Sequence, residues 1–182
     1  MRAARTFSLR PYAPADEEAA IELWRRTWQQ HYPDLDFTAR LPWWRERWRN
    51  ELVPNASITL AERAGAVAGF VTIDPRTGYL DQIVVAPEAW GEKIAEALLA
   101  EAKRICPKKI ELHVNTDNAR AIRFYAKHGF AVTGESRNPL SGRPVLAMRW
   151  RPDRSRLAPK PSPLVLGEGG TPERSEGEPG EG

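Results

Sequence analysis

The sequence predicts an α/β fold, with a mixed central sheet of about seven strands flanked by about four helices. Three observations carry this. Residues 57–85 hold β-rich runs separated by turn chemistry. From residue 92 onward, two segments with apolar residues at helical spacing are each followed by another β-rich run. No run of roughly 18 apolar residues marks a membrane span. Antiparallel meanders followed by helix-crossed strands give a mixed sheet, and the helix bridging residues 85 and 109 makes the strands on either side expected parallel neighbours.

The elements follow in order. Thr6–Arg10 is a short strand ended by Pro11, and Asp16–Gln30 is a helix with Ala20, Leu23 and Trp24 on one side and Glu17 and Glu18 at its electropositive start. Thr38–Asn50 is expected to be a second helix, stopped before Pro54. Strands Ser57–Glu62, Ala66–Asp74 and Gly78–Val85 are divided by Ala64-Gly65 and by Asp74-Pro75-Arg76-Thr77-Gly78. Glu92–Arg104 is amphipathic, with Ile94, Leu98, Ala102 and Ile105 as its stripe. Lys109–Val114 is a buried-type strand. Asp117 or Asn118 caps the next helix, which ends at Lys127-His128-Gly129. Phe130–Glu135 and Val145–Trp150 close the sheet as a hairpin around Pro139-Leu140-Ser141-Gly142.

The 182 residues suffice for one domain with a sizeable core, expected over 1–150. Residues 151–182 contain six Pro and six Gly and keep no apolar period beyond Leu164-Val165-Leu166. Such a segment cannot offset its ordering entropy, so a disordered tail is expected. A net charge of +3 is too mild to establish nucleic-acid binding. The lone Cys106 cannot form an internal disulfide, which suits a reducing, cytoplasmic setting. No metal-ligand spacing appears around His31 or His128.

Two stretches carry the chemistry. In the first, the apolar strand Ile83-Val84-Val85 runs into a turn opened by Pro87 and closed by Gly91, then at once into a helix. Free N–H groups at such a helix start, with its dipole, form a site for an anion such as a pyrophosphate. The second stretch, His113–Phe130, holds Asn118, Ala121, Phe124-Tyr125 and Gly129-Phe130. Together, over about residues 6–150, they resemble the acyl-CoA-binding strand–loop–helix and the following helix of the GNAT superfamily, the Gcn5-related N-acetyltransferases.

That resemblance implies an acetyl-CoA-dependent N-acetyltransferase in which an amine attacks the thioester directly. It implies that the backbone of Ile83, Val84 and Val85 pairs with the pantetheine arm, and that Gly91, Glu92, Lys93, Ile94, Ala95 and Glu96 hold the diphosphate. Lys93 stands where the family pattern has its middle glycine. Its N–H remains available if the backbone stays helical, and its ammonium either contacts the diphosphate or obstructs the loop. Asn118 is implied near the pantetheine, and Tyr125 as the general acid for the departing thiolate, since a phenol of pKa about 10 matches a thiol near 8–9. Asn118, Ile122 and Tyr125 share one helical face.

An amine acceptor also needs a base. His113 alternates away from the aliphatic face of its strand and has a suitable ordinary pKa; Asp81 shares a face with Ile83 and Val85. Both stay open. Five of the seven tryptophans lie in the first two helices, with Trp43 and Arg47 on one stripe; in the family these helices wall the acceptor side, so an aromatic and basic wall would favour an anionic or flat acceptor. Arg40, Arg45, Arg47 and Arg49, against Glu46, read as a solvated helix face, with RNA contact as the alternative. The expected acceptor is the amine of a small molecule or of a protein or peptide, with no membrane partner, nucleic acid disfavoured, and a monomer or homodimer. The alternatives are a catalytically silent acyl-CoA-binding module or a transferase directed at RNA or aminoacyl-tRNA.

Overall fold

Strand β1 (Ser8–Pro11) pairs antiparallel with β2 (Ser57–Arg63), β2 with β3 (Ala66–Ile73), and β3 with β4 (Leu80–Val85). A second antiparallel sheet has the order β5 (Ile110–Asn115), β7 (Pro144–Trp150), β6 (Ala131–Arg137). This computed structural model describes residues 6–153, so residues 154–182 of the expected tail lie outside the described residues.

The expected parallel contact between β4 and β5 shrinks to one bridge. Tyr79 lies opposite Glu111, whose N–H donates to the Gly78 carbonyl at 2.9 Å. Beyond it the two strands carry no further pairing and the sheet divides in two. Strand twist alone would rotate neighbours only modestly. Here the opening is also lined by Asn118, Ala121 and Tyr125, side chains from the helix after β5.

Helix α1 (Glu17–His31) buries Ala20, Ile21, Leu23 and Trp24. The second helix differs from expectation at both ends. Residues 38–40 form a turn, α2 covers only Leu41–Arg47, and the helical path continues through a π-turn (Trp48–Leu52) and a single turn, Val53–Asn55, that contains Pro54. Pro54 follows directly on the π-turn, where the i→i−4 ladder is already interrupted (the Val53 N–H donates to the Trp48 carbonyl), and the path runs past it to Asn55. Trp24 stacks on Trp44 with centroids 4.4 Å apart, and Trp48 meets Phe70 of β3 edge-on at 5.4 Å.

Helix α3 (Ile94–Ile105) buries Ile94, Leu98, Leu99 and Ala102 against the first sheet. It lies so close at Gly69 that a Cβ there would stand 2.9 Å from the Val84 oxygen and 3.0 Å from Ile94 Cγ2. Helix α4 (Ala119–Lys127) is capped by Asn118, whose Oδ1 accepts from the Ala121 N–H at 3.1 Å. No helix among the described residues is long and apolar enough to cross a membrane.

Candidate active site

The turn after β4 has unusual backbone. Gly91 and Lys93 both have positive φ, +89° and +64°, and only Gly adopts this region without steric cost. Lys93 therefore does not continue a helical backbone: it takes the glycine-like left-handed conformation, and α3 starts at Ile94 instead of Glu92. The N–H groups of Gly91, Lys93, Ile94, Ala95 and Glu96 have no protein acceptor among the described residues. Consecutive free donors at a helix start form an anion-binding concavity.

Glu92 is the exception. Its N–H donates to the Ala89 carbonyl at 3.3 Å and its carboxylate pairs with Arg63 at 2.9 Å, so it turns away from this concavity. A cleft of about 330 Å³ runs from the turn along Ile83, Val84 and Val85 to Asn118, Ala121 and Tyr125, with Trp28 of α1 as a further wall. The Ala86 N–H donates to Ala68 of β3, and the Val84 carbonyl also faces β3. Strand alternation then turns the main-chain groups of Ile83 and Val85, and not those of Val84, to the free edge. Trp90 already uses one of them: its Nε1–H donates to the Val85 carbonyl at 3.0 Å, while the Arg120 guanidinium lies 3.9 Å over its ring.

A second cleft, of about 740 Å³, opens on the other side of the split, between the α1–α2 aromatic side chains and the β6–β7 turn. The two clefts share Trp28, Ile83, Asn118, Ala121 and Tyr125. The helix stripe facing them is Asn118–Ala121–Tyr125, and Ile122 packs on the core instead. Tyr125 is 9% exposed, and its hydroxyl has no protein hydrogen-bond partner among the described residues. Burial, with a smaller contribution from Tyr79, pushes its phenol well above the ordinary value of 10.0.

The two base candidates differ in their surroundings. His113 is exposed at the second cleft, and its Nδ1 lies 3.1 Å from the Tyr79 hydroxyl. Tyr79, which the sequence reading passed over, has its own phenol pushed up to about 12, chiefly by burial and then by the Asp81 charge. Asp81 accepts from both terminal nitrogens of Arg47, at 2.8 and 2.6 Å, and from Gln82 Nε2 at 3.2 Å. Both carboxylate oxygens of Asp81 are thus engaged by Arg47.

The basic run of α2 is mostly spoken for. Arg45 pairs with Glu18, Arg47 with Asp81 and Glu51, and Arg49 with Glu17. Of the four, Arg40 alone has no acidic partner among the described residues; its guanidinium stands 5.1 Å over the Phe37 ring. No group of three or more metal-binding side chains occurs among the described residues.

Comparison with known proteins identifies the family. The Acetyltransferase (GNAT) family model matches residues 17–130. The chain is 29% identical over 129 residues to the peptidyl-lysine N-acetyltransferase YjaB of Salmonella typhimurium, covering 70% of this chain and 85% of that protein. It is 32% identical over 102 residues to the L-amino acid N-acetyltransferase AaaT of Escherichia coli, covering 50% of this chain and 62% of that one. The fold matches the PaiA N-acetyltransferase of Thermoplasma acidophilum, solved with coenzyme A, at a TM-score of 0.64 and 21% identity over 80% of this chain and 98% of that one. The chain belongs to the GNAT acetyltransferase family and is an N-acetyltransferase.

Proposed function

We propose that the enzyme transfers an acetyl group from acetyl-CoA to a primary amine by direct attack. The observation that carries this reading is Tyr125, whose side chain lines both clefts at their junction. The residues fit the donor: five free N–H groups at the start of α3 and the ammonium of Lys93 suit a diphosphate, and the free edge of β4 suits an amide arm added as a strand. When bound, acetyl-CoA supplies an activated thioester acetyl group.

The remaining work belongs to the chain. The Val85 N–H, on the free edge, polarises the acyl oxygen. Tyr125 keeps its proton through the working pH range, because burial disfavours the phenolate, and holds it for the sulfur. His113 takes the proton of the incoming amine. With Nδ1–H donated to the Tyr79 oxygen, Nε2 is left as the acceptor. Asp81 fixes Arg47 and thereby α2. The reading covers both small amines and peptidyl-lysine, the two kinds of acceptor for which the relatives YjaB and AaaT are named. A reducing, cytoplasmic setting suits the single buried Cys106.

The test is a thermal shift with acetyl-CoA followed by a thiol-release screen over primary amines. Saturable stabilisation and amine-dependent thiol release are expected, since a ligand that binds only the folded state raises its stability. Donor binding without release for any amine, peptides included, would refute transfer; no response at millimolar acetyl-CoA would refute the donor.

A further inference from the structure

The 740 Å³ cleft has more basic than acidic side chains in its lining. Its lining includes three arginines, Arg40, Arg47 and Arg143, and one acid, Asp81. Arg47 is held by Asp81 and Glu51. Arg143 is held by Asp117 at 3.1 Å and lies 4.7 Å over the Tyr32 ring. Arg40 is left with a guanidinium that meets only an aromatic face. Its backbone is fixed at the start of α2, with its N–H on the Phe37 carbonyl and its own carbonyl accepting from Trp44. The one acid is neutralised, so among the described residues the cleft offers an unpaired cation, Arg40, and no unpaired anion.

The apolar walls add a second constraint. Trp28, Tyr32, Phe37 and Trp43 line the same space, and the cleft's lips carry two exposed apolar side chains, Trp43 at 40% and Leu140 at 73%. A tryptophan and a leucine on the rim of a concave site suit a ligand with a flat apolar body. The volume lies within the roughly 300–1,000 Å³ typical of small-molecule sites.

We propose that the acceptor is a small primary amine bearing an anionic group on a flat apolar body, with Arg40 receiving the anion and Trp43 covering the body. This rests on the amine-transfer reading above. A polyamine is disfavoured by the same lining, because a second ammonium would meet Arg40 and find no unpaired carboxylate.

The experiment uses the full chain with acetyl-CoA and three amines of matched body: para-aminomethylbenzoate, benzylamine and para-xylylenediamine. The expected order of kcat/KM is the order given, with about tenfold between the first two, residing in KM, as befits one charge-assisted contact. Arg40→Gln should bring the KM ratio of the first two near unity. Calorimetry with para-methylbenzoate, which has no amine, should show binding to the wild type and about tenfold weaker binding to Arg40→Gln. Equal or better use of benzylamine, with a ratio that Arg40→Gln leaves alone, would overturn the proposal while transfer itself stands. Turnover of peptidyl-lysine alone would also overturn it. If no amine reacts but para-methylbenzoate binds in an Arg40-dependent way, the anion seat is supported and the failure belongs to the transfer reading; no binding of that probe and no turnover overturns the proposal.

Discussion

The Trp90 indole donates its N–H to the Val85 carbonyl at 3.0 Å, and that carbonyl is a main-chain acceptor on the free edge of β4. A donor arm that adds to this edge must displace the indole. Trp90→Phe keeps a ring under Arg120 but removes the competing N–H. Acetyl-CoA should then bind about three- to tenfold tighter by calorimetry, the worth of one ordinary hydrogen bond. Weaker binding would show that the indole is itself a contact for the donor.

Lys93 pays a conformational cost for its left-handed backbone, φ +64° and ψ +21°. Lys93→Gly should raise stability by about 1 kcal/mol and Tm by roughly 2–4 °C. The same change removes a cation beside five free N–H groups, so acetyl-CoA affinity should fall, more at low salt than at high. Tighter binding would mean that the side chain obstructs the turn. An unchanged Tm would contradict the strain.

Some of this architecture was legible in the sequence, and the reasons are local. Asn118 caps its helix because its side chain reaches an N–H three residues on, a relation that sequence spacing displays. The hairpin around Pro139-Leu140-Ser141-Gly142 was readable in the same local way, although Asn138, whose Oδ1 accepts from the Leu140 and Ser141 N–H groups, was not singled out. What could not be read depends on residues far apart. Tyr79 and His113 meet across 34 positions, as do Arg47 and Asp81, and neither pair has a spacing signal. Nor does a lysine announce positive φ, so the late start of α3 was hidden. The split between β4 and β5, lined by Asn118, Ala121 and Tyr125, was hidden too, because a strand–helix–strand pattern by itself implies continuous parallel pairing.

The Arg47–Asp81 pair ties α2 to β4 with side chains only 21% and 13% exposed. Asp81→Asn should cost about 1–3 kcal/mol in denaturant unfolding, because Arg47 loses its charged partner. It should leave the acidic limb of the kcat/KM profile in place. His113→Ala should remove that limb, since the residue that must lose a proton is gone. The reverse pattern would transfer the role of base to Asp81.

Alkaline stability reports on the buried phenols. Folding raises the Tyr125 pKa above its ordinary 10.0, so above about pH 10 the unfolded chain releases a proton that the folded chain retains. The folded state is therefore favoured fully below pH 10 and loses stability as pH rises beyond it, at up to about 1.4 kcal/mol per pH unit for this group. Unfolding midpoints measured from pH 9 to 11.5 should fall less steeply in Tyr125→Phe than in the wild type, where ~10 marks the onset. Parallel curves would show that the phenol is no more buried in the folded chain than in the unfolded one.

The central claim is that donor and acceptor meet at the Tyr125 hydroxyl. Tyr125→Phe keeps the ring packed on Phe124 and Phe130 and removes only the oxygen and its proton. Steady-state kinetics on an accepted amine, with acetyl-CoA affinity measured in parallel, should show kcat reduced by about 10²–10⁴-fold and affinity nearly unchanged. A variant that keeps near-full kcat would contradict the claim and leave Tyr125 as a core aromatic between two clefts.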